Sequence, residues 1–328
     1  MTGAAAGFRA AMRGALFAAV AVLLAGCSAL RLTYEQGPTL AYWWLDGYAD
    51  FDRAQARVVR GALREWFAWH RQRELPVWRA LLDDLADALP RDTTSQAVCA
   101  LGDRMRERAQ VAYAAAVPPL AELAVTMQAP QLAHLAREFD ERNDELAEEY
   151  LEGSPARRAK RLRKQAEEAF ETLYGRLDRA QRARLTALLQ DSPFDPARWL
   201  AERRARQRAL LDVLRGISAA GDADPGEIAV RLAALGRAFD VSPRADYRQY
   251  YQRVVAANCA LIADMHGTMR PRQRARAVRR IAGWRADLDA LLGAADAAAA
   301  SAVPAAAVAA FRPTVRRAII DATTLARR

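Results

Sequence analysis

Lysine is almost missing from this chain. Of its 49 basic residues only Lys160 and Lys164 are lysines, so arginine carries the positive charge. Histidine is scarce, at three residues (His70, His134, His266), and so is cysteine, at three (Cys27, Cys99, Cys259). The Glu-x-x-His segments of carboxylate-bridged bundles do not occur, nor does H-E-x-x-H, so no metal site and no cofactor is expected. A P-loop, a dinucleotide fingerprint, G-x-S-x-G and a Cys–His pair are also missing, which leaves the common hydrolase and nucleotide chemistries without a motif to rest on. Runs of strand period are absent, and with them any sequence support for a sheet.

What is present favours helix. The chain has 328 residues, 52% of them apolar, with abundant alanine and modest glycine. Prolines fall mostly at apparent helix boundaries. The expected fold is all-α, a multi-helix bundle or irregular array of about ten helices. Net charge is +10. An Arg- and Ala-rich composition partly reflects GC-rich coding, and the remaining charge fits either a solvated basic surface or attraction to anionic lipid or acidic polymers.

Residues 1–26 read as a signal peptide. Arg9 and Arg13 precede an apolar stretch from Ala15 to Leu24 that is too short to span a bilayer. It ends in Leu24-Ala25-Gly26-Cys27, a bacterial lipobox, so acylation of Cys27 and a firm membrane anchor are expected. Ser28 rather than aspartate follows, which favours the outer membrane in a Gram-negative cell, facing the periplasm. That compartment permits disulfides. Cys99 and Cys259 lie far apart in helical segments, and pairing and simple burial both remain open.

Residues 27–50 read as a lipidated tether followed by an aromatic segment. That segment is either a core plug or a short helix at the membrane interface. Residues 51–292 read as one helical domain, and 293–328 as an Ala-rich, partly ordered tail. Val58, Ala62, Trp66 and Trp69 recur at helical spacing on one expected core face. Pro118-Pro119 marks an expected break. Asp195, Asp224 and Ser242 each precede a proline, the pattern of a helix start.

One short pattern occurs four times: Phe51-Asp52-Arg-Ala-Gln55, Met127-Gln-Ala-Pro-Gln131, Leu177-Asp178-Arg-Ala-Gln181 and Met269-Arg-Pro-Arg-Gln273. Each is an apolar residue, a cap or turn, and a glutamine four residues on. In the first and third, aspartate can cap the helix while glutamine reaches back to the cap N–H, a capping box. The separations are unequal, so a solenoid is not indicated.

The lipobox, Y-W-W-L-D-G-Y, D-x-x-Q, A-W-H-R-Q-R-E-L-P, E-E-Y-L-E-G-S-P and I-A-D-M-H-G-T-M-R-P-R-Q-R together resemble a family of uncharacterised Gram-negative lipoproteins carrying a domain of unknown function. The resemblance extends from the lipobox to about Leu292 and implies an address and a helical fold, with no catalytic residues. The four patterns are also similar to the L-T-x-x-Q motif of small Spy-like periplasmic chaperones, although threonine is missing from that position in every copy.

Several clusters remain as candidates. Trp66, Trp69, His70, Glu74 and Trp78 form the densest set of recognition-type side chains, suited to lining a groove or to filling a core. His70–Glu74 and His134–Glu138 are spaced to share a helix face. Glu138 to Glu152 is rich in acids and Arg157 to Lys164 in bases, and an antiparallel hairpin would pair them. Arg270, Arg272, Arg274, Arg276, Arg279 and Arg280 form a basic stretch, either a solvated helix face or a site for an anionic lipid or protein partner. Nucleic acid does not fit the expected compartment. The leading reading is a non-catalytic, membrane-anchored helical scaffold that binds an envelope component. The alternatives are an envelope hydrolase or transferase using Glu74 or Glu138, and a holdase chaperone.

Overall fold

The computed structural model describes residues 29–220 and 224–293. The segment read as a signal peptide, Cys27 and the Ala-rich stretch after Gly293 lie outside the described residues. Among the described residues there are twelve α-helices and no strand, so the protein is an all-α array.

Most helix starts follow from local hydrogen-bonding rules. The tether expected before Pro38 is itself helical, as α1 (Ala29–Glu35), and runs into α2 (Gly37–Ala49). Asp52 caps α3 (Arg53–Arg73) by accepting from the Ala54 and Gln55 N–H groups. A single residue, Glu74, separates α3 from α4 (Leu75–Ala88), where Pro76 sits in the first turn and cannot continue the preceding helix. Thr94 caps α5 (Ser95–Thr126), and Gln128 begins α6 (Ala129–Tyr150). Ser154 caps α7 (Pro155–Tyr174) and Asp178 caps α8 (Arg179–Gln190). Asp195 accepts from Ala197 and Arg198 at the start of α9 (Pro196–Ala220), and Asp224 caps α10 (Pro225–Asp240). Ser242 departs from expectation. Pro243 stays outside α11 (Ala245–Gly267), and the Ser242 hydroxyl accepts from Arg244 N–H in the preceding turn. The last helix is α12 (Pro271–Gly293).

Pro118 and Pro119 do not break α5. The helix runs through both, although each removes an internal N–H donor, which costs on the order of 3 kcal/mol in an isolated helix. Packing overrides that cost. Val117, Ala121 and Ala124 are buried in the largest core cluster, with Leu132 and Leu135 of α6, Leu211, Leu214 and Ile217 of α9, and Ile228, Leu232 and Leu235 of α10. Contact between α5 and α10 is so close that a Cβ on Gly236 would lie 2.0 Å from the Tyr113 ring, whose hydroxyl donates to Leu232 O.

A second core joins Leu89, Tyr174 and Leu177 to Leu185 of α8, Met265 of α11, Met269, and Ala277 and Ile281 of α12. Smaller clusters gather Leu75, Leu288 and Leu291 under Tyr34 and Trp78, and Tyr247, Tyr250 and Val254 against Phe194. On α3 the core residue is Val59, and Val58 is 51% exposed, so the inner face lies one residue over from the expected one. The aromatic segment is mainly core: Tyr42 is buried and Tyr48 packs against the first cluster, while Trp44 remains 40% exposed.

The acidic and basic stretches do not form a salt-bridged hairpin. Arg142 pairs with Glu138 and Glu145 on its own helix, and Asp144 with Arg204 of α9. Arg163 and Lys164 pair with Glu167 and Glu168. Arg158 and Arg161 donate instead to carbonyls of Leu151, Gly153 and Glu152, closing the turn between the helices. Beyond that turn α6 packs on α9 and α2, whereas α7 packs on α12 and α8, so the two charged stretches diverge.

Cys99 and Cys259 are paired as a disulfide that ties α5 to α11 across 160 residues of sequence. A crosslink closing so long a loop raises the free energy of the unfolded chain by up to roughly 5 kcal/mol. Reduction, or the Cys99→Ser/Cys259→Ser pair, is therefore expected to lower the thermal midpoint by many degrees in a melt followed by circular dichroism. An unchanged midpoint would show that the bridge contributes nothing to stability.

Candidate functional site

The four repeated patterns meet in two places, and in both they build the same hydrogen-bonded hub. In the first, Gln55 Oε1 accepts from Asp52 N–H at 3.1 Å, completing the capping box of α3, and Gln131 Oε1 accepts from Gln128 N–H at 3.0 Å at the start of α6. The two carboxamides then bond to each other. Gln131 Nε2 donates to Gln55 Oε1 at 2.7 Å, and Gln55 Nε2 to Gln131 Oε1 at 3.2 Å. Each amide has a further donor. Gln55 uses it on Thr126 O, the last carbonyl of α5, and Gln131 on Asp50 O, at the left-handed C-cap of α2.

The second hub matches the first contact for contact. Gln181 Oε1 accepts from Asp178 N–H and Gln273 Oε1 from Arg270 N–H, both at 3.0 Å. Gln181 Nε2 donates to Gln273 Oε1 at 2.8 Å, and Gln273 Nε2 to Gln181 Oε1 at 3.1 Å. The remaining donors go to Thr268 O and Arg176 O. Thr126 and Thr268 each turn their hydroxyl back three residues, to Leu123 O and Met265 O. Phe51 N–H donates to Asp46, and Leu177 N–H to Glu171. The Leu177 bond and the neighbouring Arg182 hold the Glu171 carboxyl below its usual range. The apolar members of the patterns point inward: Met127, Leu177 and Met269 are buried, and Phe51 packs against the first core. Gln55, Gln131 and Gln181 are buried as well.

All four hydrogen-bonding sites of each hub amide are thus used, which is the condition for burying a carboxamide without loss. The sequence anticipates the capping half of this arrangement. It does not anticipate the mutual pairing, or the threonines, although both second members share the string Thr-Met-x-x-x-Gln.

The Trp66–Trp78 cluster lies at the junction of α3 and α4. Trp66 Nε1–H donates to Ala112 O of α5, and its ring stacks on His70 with centroids 5.0 Å apart. His70 Nδ1 is 3.0 Å from the Tyr34 hydroxyl of α1. Burial holds the His70 pKa below its ordinary value. Trp69 borders this stack, and Trp78 packs on Leu75, Leu288 and Leu291. Glu74 turns away from His70 and is 3% exposed, with Arg108 3.7 Å from Oε1 and no hydrogen-bond partner on Oε2. The i, i+4 spacing brings neither histidine into contact with its glutamate. His134 Nε2 lies 3.3 Å from Gly47 O, while Glu138 faces Arg142.

His266 is a structural clamp. Arg91 O can only accept, so Nε2–H donates to it at 2.7 Å, and Nδ1 accepts from the Tyr174 hydroxyl at 2.8 Å. Burial pushes the Tyr174 phenol up to about 12. Arg274 completes the clamp, donating to Asp92, Pro90 O and His266 O. It therefore leaves the basic stretch of α12. Arg270 pairs with Asp178, and Arg280 lies 5.5 Å over the Trp284 ring. Arg272, Arg276 and Arg279 stand exposed on one face. Among the described residues no three His, Cys, Asp or Glu converge as a metal site, and no helix is long and apolar enough to cross a membrane.

Compared with known families, residues 47–223, more than half of the chain, match the family of unknown function DUF6279. The protein belongs to this family. The match is shorter at both ends than the resemblance read from the sequence. Neither a search of curated proteins nor a search of solved structures gives a match.

A glutamate serves a capping box as well as glutamine does, but it cannot donate to Thr268 O or to Gln273. Gln181→Glu is therefore expected to cost about 3 kcal/mol or more in a urea melt, and a near-neutral result would reduce the hub to two independent caps. For His70, the unfolded chain takes up a proton near pH 6.5 while the folded chain resists it, so stability is full above that pH and declines as pH falls below it. His70→Gln should flatten that decline between pH 7.5 and 5 (working range about the histidine value). An unaltered slope would assign it to other groups.

Proposed function

We propose that the protein is a lipid-anchored envelope protein, attached through Cys27 to the outer membrane and facing the periplasm, whose helical domain binds an acidic envelope partner without catalysing a reaction on it. The observation that carries the reading is the exposed row Arg272, Arg276 and Arg279, which among the described residues enters no ion pair. It lies on a helix whose start is fixed by the second hub and whose other faces are engaged with α4 and α7. A guanidinium row on a helix fixed in this way suits bidentate recognition of carboxylate or phosphate. The Leu24–Cys27 lipobox supports the anchor, and the Cys99–Cys259 bridge suits an oxidising compartment.

A second reading, an envelope hydrolase or transferase, has one observation in its favour. The unpartnered, buried Oε2 of Glu74 is the kind of group that a catalytic acid requires. The chaperone reading rests on the four glutamines, whose amide groups are taken up by the hubs.

The test is photocrosslinking in intact cells from a reactive side chain at position 276 of the full-length protein. The scaffold reading expects a defined envelope product whose yield collapses in Arg272→Glu/Arg279→Glu and persists in Glu74→Gln. Capture that ignores the charge reversal would overturn it, and a phenotype lost only with Glu74→Gln would move the weight to the enzyme.

A further inference from the structure

A second arginine row, on α3, differs from that of α12 in where it lies. Arg53, Arg57, Arg60, Arg64 and Arg71 follow one another at steps of four, three, four and seven residues, which puts all five on one helix face. Among the described residues none of the five enters an ion pair with an acid, and Arg71 also donates to the Tyr34 hydroxyl. Arg53, Arg57, Arg60 and Arg64 are exposed. Two are held in place by aromatic rings, which position a guanidinium without neutralising it: Arg60 lies 4.0 Å over Tyr42 and Arg71 lies 5.5 Å over Tyr34. Arg53, Arg57 and Arg60 line an open concavity of 430 Å³ with Tyr42. The acid in that lining, Asp52, already accepts from the Ala54 and Gln55 N–H groups as the cap of α3. From Arg53 to Arg71 the helix rises about 27 Å.

The Arg71 end of the row meets α1. Besides its bond to His70, Tyr34 packs edge-on against Phe67 at 5.6 Å. At the next turn the backbone of Gly37 comes so near the same ring that a Cβ there would lie 2.3 Å from it. Thus α1 is fixed on the end of the arginine row, and α1 begins two residues after Cys27. The α12 row, by contrast, starts about 18 Å along its helix from Leu291, where α12 meets Tyr34.

We propose that the α3 row is a docking surface for anionic phospholipid headgroups, which lays this face of the domain on the bilayer that holds Cys27. The inference rests on the anchored reading above. With Cys27 in the membrane, the one intervening residue, Ser28, lets α1 begin no more than about 7 Å from it, so the Arg71 end is kept within headgroup reach at high effective concentration. Guanidinium groups suit phosphate oxygens geometrically, and each arginine close to an anionic surface multiplies binding roughly fivefold.

The test uses the full lipidated protein, purified from the envelope and reconstituted at low density into vesicles of phosphatidylcholine alone or with phosphatidylglycerol. Dicarbonyl modification of arginines is followed residue by residue by mass spectrometry. Arg57 and Arg64 are expected to react about fivefold or more slowly on the anionic vesicles, with the difference lost at high salt, while exposed Arg208 and Arg231 react equally on both. Equal rates for Arg57 and Arg64 would overturn the proposal. So would slowing that tracks protein density rather than lipid charge, since the acidic face of α6 in a second copy would then be the occupant. The mass of the Cys27 peptide reports the anchor independently. An acylated protein without protection sinks the docking surface alone, and protection without acylation sinks the anchor alone.

Discussion

A buried carboxamide is stable only when two donors and two acceptor sites all find partners, and this fold is arranged around meeting that condition twice. Each hub glutamine reaches its own helix start, its partner glutamine, and a carbonyl at the end of a third element. Two helix beginnings, one helix end and one preceding turn are thereby fixed relative to one another at each hub. The hydrophobic clusters sit directly beside these points, with Met127 and Leu132 next to one hub and Leu177, Met269 and Ala277 next to the other. Apolar burial supplies most of the driving force, but it is non-directional. The amide pairs set the register at which the helices meet.

What could be read from the chain beforehand divides along the range of the interaction. Local grammar is legible: Asp52, Asp178 and Asp224 all cap helices where side-chain chemistry says they should. The glutamine patterns were visible, but their partners lie 76 and 92 residues away, beyond any rule of spacing. Tertiary context also reversed local expectations. Packing carries α5 through two prolines, and Val59 rather than Val58 reaches the core. The acidic and basic stretches flank a turn, which suggests pairing, yet helices leaving a turn need not pack together. The choice between a pairing of Cys99 with Cys259 and mere burial could not be made from sequence, because it depends on how α5 crosses α11.

The candidate groove of tryptophans illustrates how recognition-type side chains serve as structure. Trp66, His70 and Tyr34 form a stack that seats α1 on α3, with the polar edge of each ring matched to a neighbour. All three histidines are engaged in this way, with a phenol or a backbone carbonyl. The protein's uncommitted polarity is instead on its surface, in arginines that composition alone cannot sort. Of the six basic residues singled out on α12, Arg270 and Arg274 are bound to acids within the fold, whereas among the described residues the α3 row, unremarkable in sequence, enters no ion pair.

The bridge between Cys99 and Cys259 has a mechanical side. Tension applied along the chain from its beginning travels through α1 to α4, reaches Cys99, and crosses the sulfur–sulfur bond to Cys259 and on to α12. The sulfur–sulfur bond is a covalent bypass around the loop between them, which holds α6 to α10 and the greater part of α5 and α11, so that load cannot extend the loop. Under a pull on both ends, the part of the first core inside the loop, from Val117 to Leu235, would stay covalently closed, while Ala49 and Phe51 would be drawn from it as the segments outside the loop yielded.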